Sequence, residues 1–217
     1  MKNKKLVIIS GVTGAIGSLF LAEFAQEENT IVYGISRKAP SISDFLRNGH
    51  LPHASLICSI GDSLVDGYAQ LAGNINFEGI DEVVYVHALG LYPFEINHTG
   101  DYVVENDHDN DGINDAVIEL TYKAFVSAFS EIRKKYKGQL KCVIFGGLAD
   151  VHKPLVHQSW WRTFERTKAF MQEKADEKTL LMVANISSVL CPHELITRPF
   201  VFIETDANPA YWLYAGL

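Results

Sequence analysis

Apolar and polar positions along the chain alternate between short β-branched runs and stretches of helical period. Lys5 to Ser10 is apolar and β-branched and ends in glycines, and residues 15–28 then carry Ile16, Leu19, Phe20 and Phe24 at helical spacing. That pair predicts strand, tight turn, helix. The same reasoning predicts further strands over 31–35, 54–58, 82–88, 140–145 and 180–187, and further helices over 43–48, 64–73, 115–135 and 163–176. Strands alternating with helices imply a mostly parallel sheet covered on both faces. Two long connections, 91–114 and 148–162, leave the carboxyl side of a strand. Ligands bind at that edge in open α/β sheets, so both loops are placed to enclose one.

Composition narrows the class. The chain has 217 residues, 47% hydrophobic and 21% charged, with no repeat, low-complexity tract or Pro/Ser-rich linker. One domain spanning 1–217 is expected. Nineteen Lys and Arg against twenty-six Asp and Glu give a net charge of -7, which disfavours a nucleic acid or anionic membrane held by bulk charge. The charge is unevenly spread. Residues 48–122 hold thirteen acids and no Lys or Arg, a balance of -13, which leaves +6 on the remainder. No apolar run approaches the ~18 residues of a membrane span, and no cleavable signal pattern opens the sequence. The three cysteines, Cys58, Cys142 and Cys191, are odd in number, widely spaced and set in apolar surroundings. They read as buried free thiols of a cytoplasmic protein.

The first turn carries the most specific signal. Ser10-Gly11-Val12-Thr13-Gly14-Ala15-Ile16-Gly17 follows a predicted strand and opens a predicted helix, with three glycines at spacing three. Glycines allow the tight turn and close approach of backbone to a pyrophosphate, and a helix amino terminus supplies free N–H groups and a favourable dipole. The plain alternative is a strand-to-helix turn with no ligand, but the strand, helix and repeated units required of a dinucleotide site are all present.

With that turn the sequence resembles the short-chain dehydrogenase/reductase family, whose extended and atypical members carry Thr-Gly-x-x-Gly-x-x-Gly. Further landmarks fall in the family's order. His87-Ala88-Leu89-Gly90 ends the fourth strand, where the family has Asn-Asn-Ala-Gly or a His-containing variant beside the adenine ribose. Gly146-Gly147 ends the next strand, where the family places its catalytic serine, and Phe164-Glu165-Arg166-Thr167-Lys168-Ala169 resembles the active-site segment Tyr-x-x-Ser/Thr-Lys-Ala. The resemblance covers residues 5–200 and implies a Rossmann-type, doubly wound, three-layer αβα fold that binds a nicotinamide dinucleotide. It also implies a homodimer formed through the helices 115–135 and 163–176.

Charge argues for the form of the cofactor. An acid at the end of the second strand would bond the ribose hydroxyls of NAD, whereas Arg accommodates the 2'-phosphate of NADP. Here the strand ends Gly34-Ile35-Ser36-Arg37-Lys38, with no acid and two cations, which favours NADP over NAD. A solvated surface pair is the alternative. After the third strand, Ser59 or Asp62 stands where the family has an adenine-contacting Asp.

The catalytic positions depart from the family. Lys168 is present to hold the nicotinamide ribose, but Phe164 replaces the Tyr that donates the proton, Gly147 or a residue of 148–159 replaces the Ser, and Glu119 falls where an Asn supports the proton relay. An acid–base step needs a titratable group within hydrogen-bond reach, and Phe164 offers none. Tyr92, His152, His157 or Ser159 could supply a donor from the long loops; equally, Tyr92 and Trp160-Trp161 could be apolar cover and the histidines solvated. Two functions follow from this: an oxidoreductase on a small carbonyl or alcohol with an unusual proton donor, or an inactive NADP-binding regulatory or scaffold protein.

A second motif lies in the acidic loop. Asp107, Asp109, Asp111 and Asp115 occupy positions one, three, five and nine of a calcium-loop pattern, with Gly112 at six. Position twelve is Ile118 where a bidentate Glu is required, and an Asp/Asn/Gly-rich turn in which Asp115 caps the next helix accounts for the same residues.

Overall fold

The computed structural model describes residues 4–37, 53–55, 62–89, 94–96, 102–104, 115–147 and 158–186. Along the chain these form β1 (Lys5–Ser10), α1 (Ala15–Phe24), β2 (Thr30–Ser36), β3 (His53–Ser55), α2 (Asp62–Gly73), β4 (Glu82–His87), β5 (Phe94–Ile96), β6 (Tyr102–Val104), α3 (Asp115–Lys135), β7 (Gln139–Gly147), α4 (Gln158–Lys174) and β8 (Thr179–Ile186). Six strands make one parallel sheet in the order β3-β2-β1-β4-β7-β8. The order reverses between β1 and β4, so the chain is doubly wound, as expected, and its carboxyl edge opens a crevice at that reversal.

β1 and β4 are continuous apolar runs buried along almost their whole length, which suits central strands covered on both faces. Their period of two divides the core. Leu6, Ile8, Val83 and Tyr85 face α2, α3 and α4 with Tyr68, Phe125, Phe129, Ile132 and Met171, while Val7, Ile9, Val84 and Val86 face Val12, Leu21 and Phe20 on the α1 side. Aromatic rings fill the first layer: Phe125 stacks on Tyr85 and Phe129, and Phe170 of α4 meets Phe125 and Phe129 edge-on. Arg133, Lys134 and Lys135 close α3, where cations favour the helix dipole.

Several boundaries differ from the sequence pattern. α1 ends at Phe24, short of residue 28, because Glu27 is drawn to Lys5 at 2.6 Å and accepts a hydrogen bond from Thr30, while Asn29 turns the chain with φ +62°. The connection expected to be a loop over 91–114 contains an antiparallel hairpin, β5 with β6. Its strands are three residues long, too brief for period two to show above a polar background. α4 starts at Gln158, five residues before the expected 163, which matches the continuation of its apolar spacing back to Trp160. The second long loop is shortened accordingly. The expected helix over 43–48 lies outside the described residues.

Candidate functional site

The crevice is built around the turn from β1 to α1. Gly11 leaves β1 with φ +73°, a left-handed conformation that a side chain disfavours, and a Cβ there would lie 2.5 Å from the Ala88 carbonyl oxygen. Backbone thus packs on backbone where the ends of β1 and β4 meet. The Gly11 N–H donates to the Ile35 carbonyl of β2, the Ala88 N–H to the Ser10 carbonyl, and the Gly14 N–H to the Gly11 carbonyl at 2.9 Å. Gly17, on the first turn of α1, presses against Gly11, and a Cβ there would overlap the Gly11 carbonyl. Val12 reaches back to Gly34 of β2, where a Cβ would fall 2.8 Å from a Val12 methyl.

Gly14 caps α1 in an extended conformation and makes no side-chain capping hydrogen bond, and the first turn holds no acid. The amino end of α1 therefore keeps the positive end of its dipole for an external anion. Thr13 and Gly14 are exposed at the tip of the turn, Ile16 is half-buried, and Ala15 begins the helix. At the end of β2, Ser36 is buried and Arg37 exposed; Lys38 lies outside the described residues.

β4 supplies the opposite wall. Ala88 is half-buried, and Leu89 turns its side chain into the core. His87 is also buried. Its Nδ1 is 2.9 Å from Ser10 Oγ, and its ring meets Phe125 edge-on at 4.9 Å. Burial holds its pKa down to about 3, so the imidazole is neutral under ordinary conditions. This Ser10–His87 contact was not found from sequence, although strand alternation carries its signal: Ser10, Tyr85 and His87 share the face of Leu6, Ile8 and Val83.

Lys168 lies on α4, half-exposed, with Nζ 3.7 Å from Glu165 Oε1 one turn earlier. Phe164 occupies the same helix four residues before it, a spacing that puts both positions on one helix face. Ser159 is in the first turn of α4, Asp62 is the first residue of α2, and Asp115 and Glu119 are in the first two turns of α3. Gly147 ends β7. Ser59, Gly90, Tyr92, His152, His157, Asp107, Asp109 and Asp111 lie outside the described residues. Among the described residues no group of three or more His, Cys, Asp or Glu could hold a metal ion, and no helix is long and apolar enough to cross a membrane. Cys142 is a buried free thiol on β7, pushed up to about 12 by burial, as expected of a packing cysteine. Cys58 and Cys191 lie outside the described residues.

No family model and no curated protein matches the sequence. Solved structures do match the fold. Serine dehydrogenase from Escherichia coli aligns with TM-score 0.63 and 14% identity, over 94% of this chain and 92% of that one. A protein from Agrobacterium tumefaciens assigned as a 2-deoxy-D-gluconate 3-dehydrogenase, with bound NADP, aligns with TM-score 0.66 and 15% identity over 94% and 79%. A short-chain dehydrogenase/reductase from Burkholderia vietnamiensis aligns with TM-score 0.59 and 14% identity over 97% and 95%. The chain thus has the Rossmann-type fold of short-chain dehydrogenases; identities this low carry the fold alone.

Proposed function

We propose that the chain binds NADP(H) in the crevice between the ends of β1 and β4 and is an oxidoreductase on a small carbonyl or alcohol. The observation that carries this reading is the glycine turn: left-handed Gly11 packed on Ala88, followed by an α1 amino terminus whose cap residue, Gly14, makes no side-chain capping hydrogen bond. The cradle fits a pyrophosphate, because its backbone approaches closely and offers free N–H groups with a favourable dipole. Thr13, Gly14 and the first residues of α1 would hold the phosphates, Arg37 with Lys38 the 2'-phosphate, and Lys168 the nicotinamide ribose. A similar fold holds NADP in the Agrobacterium tumefaciens structure, which supports the assignment. When bound, the cofactor supplies or accepts a hydride. The chain supplies orientation: Lys168 donates hydrogen bonds to the ribose, Arg37 selects the phosphorylated form, and the proton comes from a group other than Phe164. We further propose that two copies associate through α3 and α4.

Fluorescence titration tests the binding step. NADPH should bind saturably and more tightly than NADH, and Arg37→Ala should weaken NADPH roughly tenfold, the size of one exposed charge-assisted phosphate contact, while leaving NADH unchanged. Saturable binding of neither nucleotide would end the proposal.

Phe164 favours a second reading, a nucleotide-binding protein without turnover. The two readings separate on Phe164→Tyr. If the parent is silent across a panel of aldehydes and ketones and the variant oxidises NADPH, the inactive reading holds. If the parent turns over and the variant is slower, a donor elsewhere in the site is at work.

A further inference from the structure

On the sheet face covered by α3, polar side chains are buried in a row. Ser10 ends β1, Tyr85 and His87 stand two apart on β4, and the strand register pairs Ser10 with His87. Ser10 Oγ is 2.9 Å and the Tyr85 hydroxyl 3.4 Å from His87 Nδ1, and Ser10 also hydrogen-bonds Tyr85. Two hydroxyls bring two protons to these three atoms. When Tyr85 donates to Ser10 and Ser10 donates to Nδ1, each proton finds an acceptor and the neutral ring carries its own hydrogen at Nε2. The opposite order strands the Tyr85 proton beside the ring.

The consequence is a buried N–H at His87 Nε2, which has no hydrogen-bond partner among the described residues. Thr121 Oγ1 on α3 has none either. Both residues are more than nine-tenths buried, at 7% and 4% exposure. Helix geometry sets them about one turn apart by way of Phe125. The His87 ring lies against Phe125, and Thr121 stands one turn before Phe125 on the same face of α3. α3 connects parallel strands and so runs back from the carboxyl edge of the sheet, which places that earlier turn toward the edge where β4 ends at His87.

A buried polar atom left without a partner is destabilising, and interior water characteristically settles where two or more such atoms come together. We propose that His87 Nε2 and Thr121 Oγ1 form a binding site for a single buried water molecule, which accepts from the imidazole N–H and bonds the threonine hydroxyl. Through it the hydrogen-bond chain Tyr85, Ser10, His87 continues into α3. The β1/β4 strand ends, from which the glycine turn springs, are thereby tied to the helix that covers them. The site does not depend on any nucleotide being bound.

Long-range 1H–15N spectra of the labelled full chain, with cross-relaxation to solvent, test this directly. His87 should show the Nε2–H tautomer and a cross-peak from that proton to water. Thr121→Val, which keeps the shape and removes the hydroxyl, should abolish the cross-peak, shift the His87 nitrogens and lower Tm by roughly 2–4 °C. Thr121→Ser, which keeps the hydroxyl, should preserve the cross-peak and the His87 nitrogen shifts. An Nδ1–H tautomer, or an Nε2–H without a water cross-peak, would overturn the proposal. So would a Thr121→Val variant with raised Tm and unmoved His87 signals, since that is what removal of a dry, unsatisfied hydroxyl produces. Should Thr121→Val fail to fold, the tautomer and cross-peak of the parent chain decide.

Discussion

A left-handed glycine facing the backbone of another strand leaves no space for a methyl group. Gly11→Ala combines the cost of φ +73° with a Cβ 2.5 Å from the Ala88 oxygen, so it should lose about 2–4 kcal/mol in urea unfolding and abolish NADPH binding. His87 gives a pH signature. Its folded pKa, near 3, lies below the ordinary 6.5, so the unfolded chain takes up the proton first. The stability it contributes is complete above pH 6.5 and drains away as pH falls toward 3. Between pH 7 and 5 the parent should lose about 2 kcal/mol more than His87→Gln, measured by urea unfolding at each pH. Sequence motifs, through the family resemblance, pointed to His87 beside the adenine ribose. They could not tell a ring facing ligand from one turned inward onto Ser10, because which face is covered is a property of α3 and not of β4.

Helices and strands were legible where their period was long. The six parallel strands and the three helices 64–73, 115–135 and 163–176 stand within a few residues of the hydrophobic pattern, since two-sided burial writes itself as continuous apolar runs and an amphipathic face repeats over several turns. The β5/β6 hairpin was not legible, its pairing being between two three-residue strands set by main-chain hydrogen bonds more than by side chains. The α3–α4 contact is aromatic, with Phe125, Phe129 and Phe170 in mutual ring contact, Tyr122 edge-on to Phe170 and Arg166 over the Tyr122 ring at 4.4 Å. Phe125→Ala should cost about 3–5 kcal/mol by urea unfolding, because Phe125 also supports Tyr85 and His87 and the cavity would open between strand and helix. At the other edge of the sheet the Tyr136 hydroxyl donates to the Asp81 carbonyl at 2.8 Å, and Tyr136→Phe should cost nearer 1 kcal/mol in the same assay.

Taken together, these elements make a domain whose two sides are built differently. The side under α2, α3 and α4 is packed with large rings, whereas the α1 side is aliphatic apart from Phe20, Phe24 and Phe145 at its margin. Local opening follows the number of apolar partners an element has, so amide exchange should be slowest in β1, β4 and β7 and at least a hundredfold faster in β3 and the β5/β6 hairpin. Uniform protection across the sheet would contradict that order. The charge imbalance of the sequence has a spatial counterpart in part. Arg37 stands beside the crevice, whereas eight of the thirteen acids of 48–122 fall between Glu95 and Glu119, a stretch entering through the hairpin and the start of α3.

The contact between Val12 and Gly34 has a consequence for how such a sequence can drift. Gly34 is not held to glycine by a left-handed φ; the atoms nearest to where a Cβ would stand are the Val12 methyls, at 2.8 and 2.9 Å. The two positions are therefore epistatic. Alanine at 34 is deleterious while valine occupies 12 and becomes tolerable once 12 has shrunk, so a lineage can cross between the two solutions only in that order.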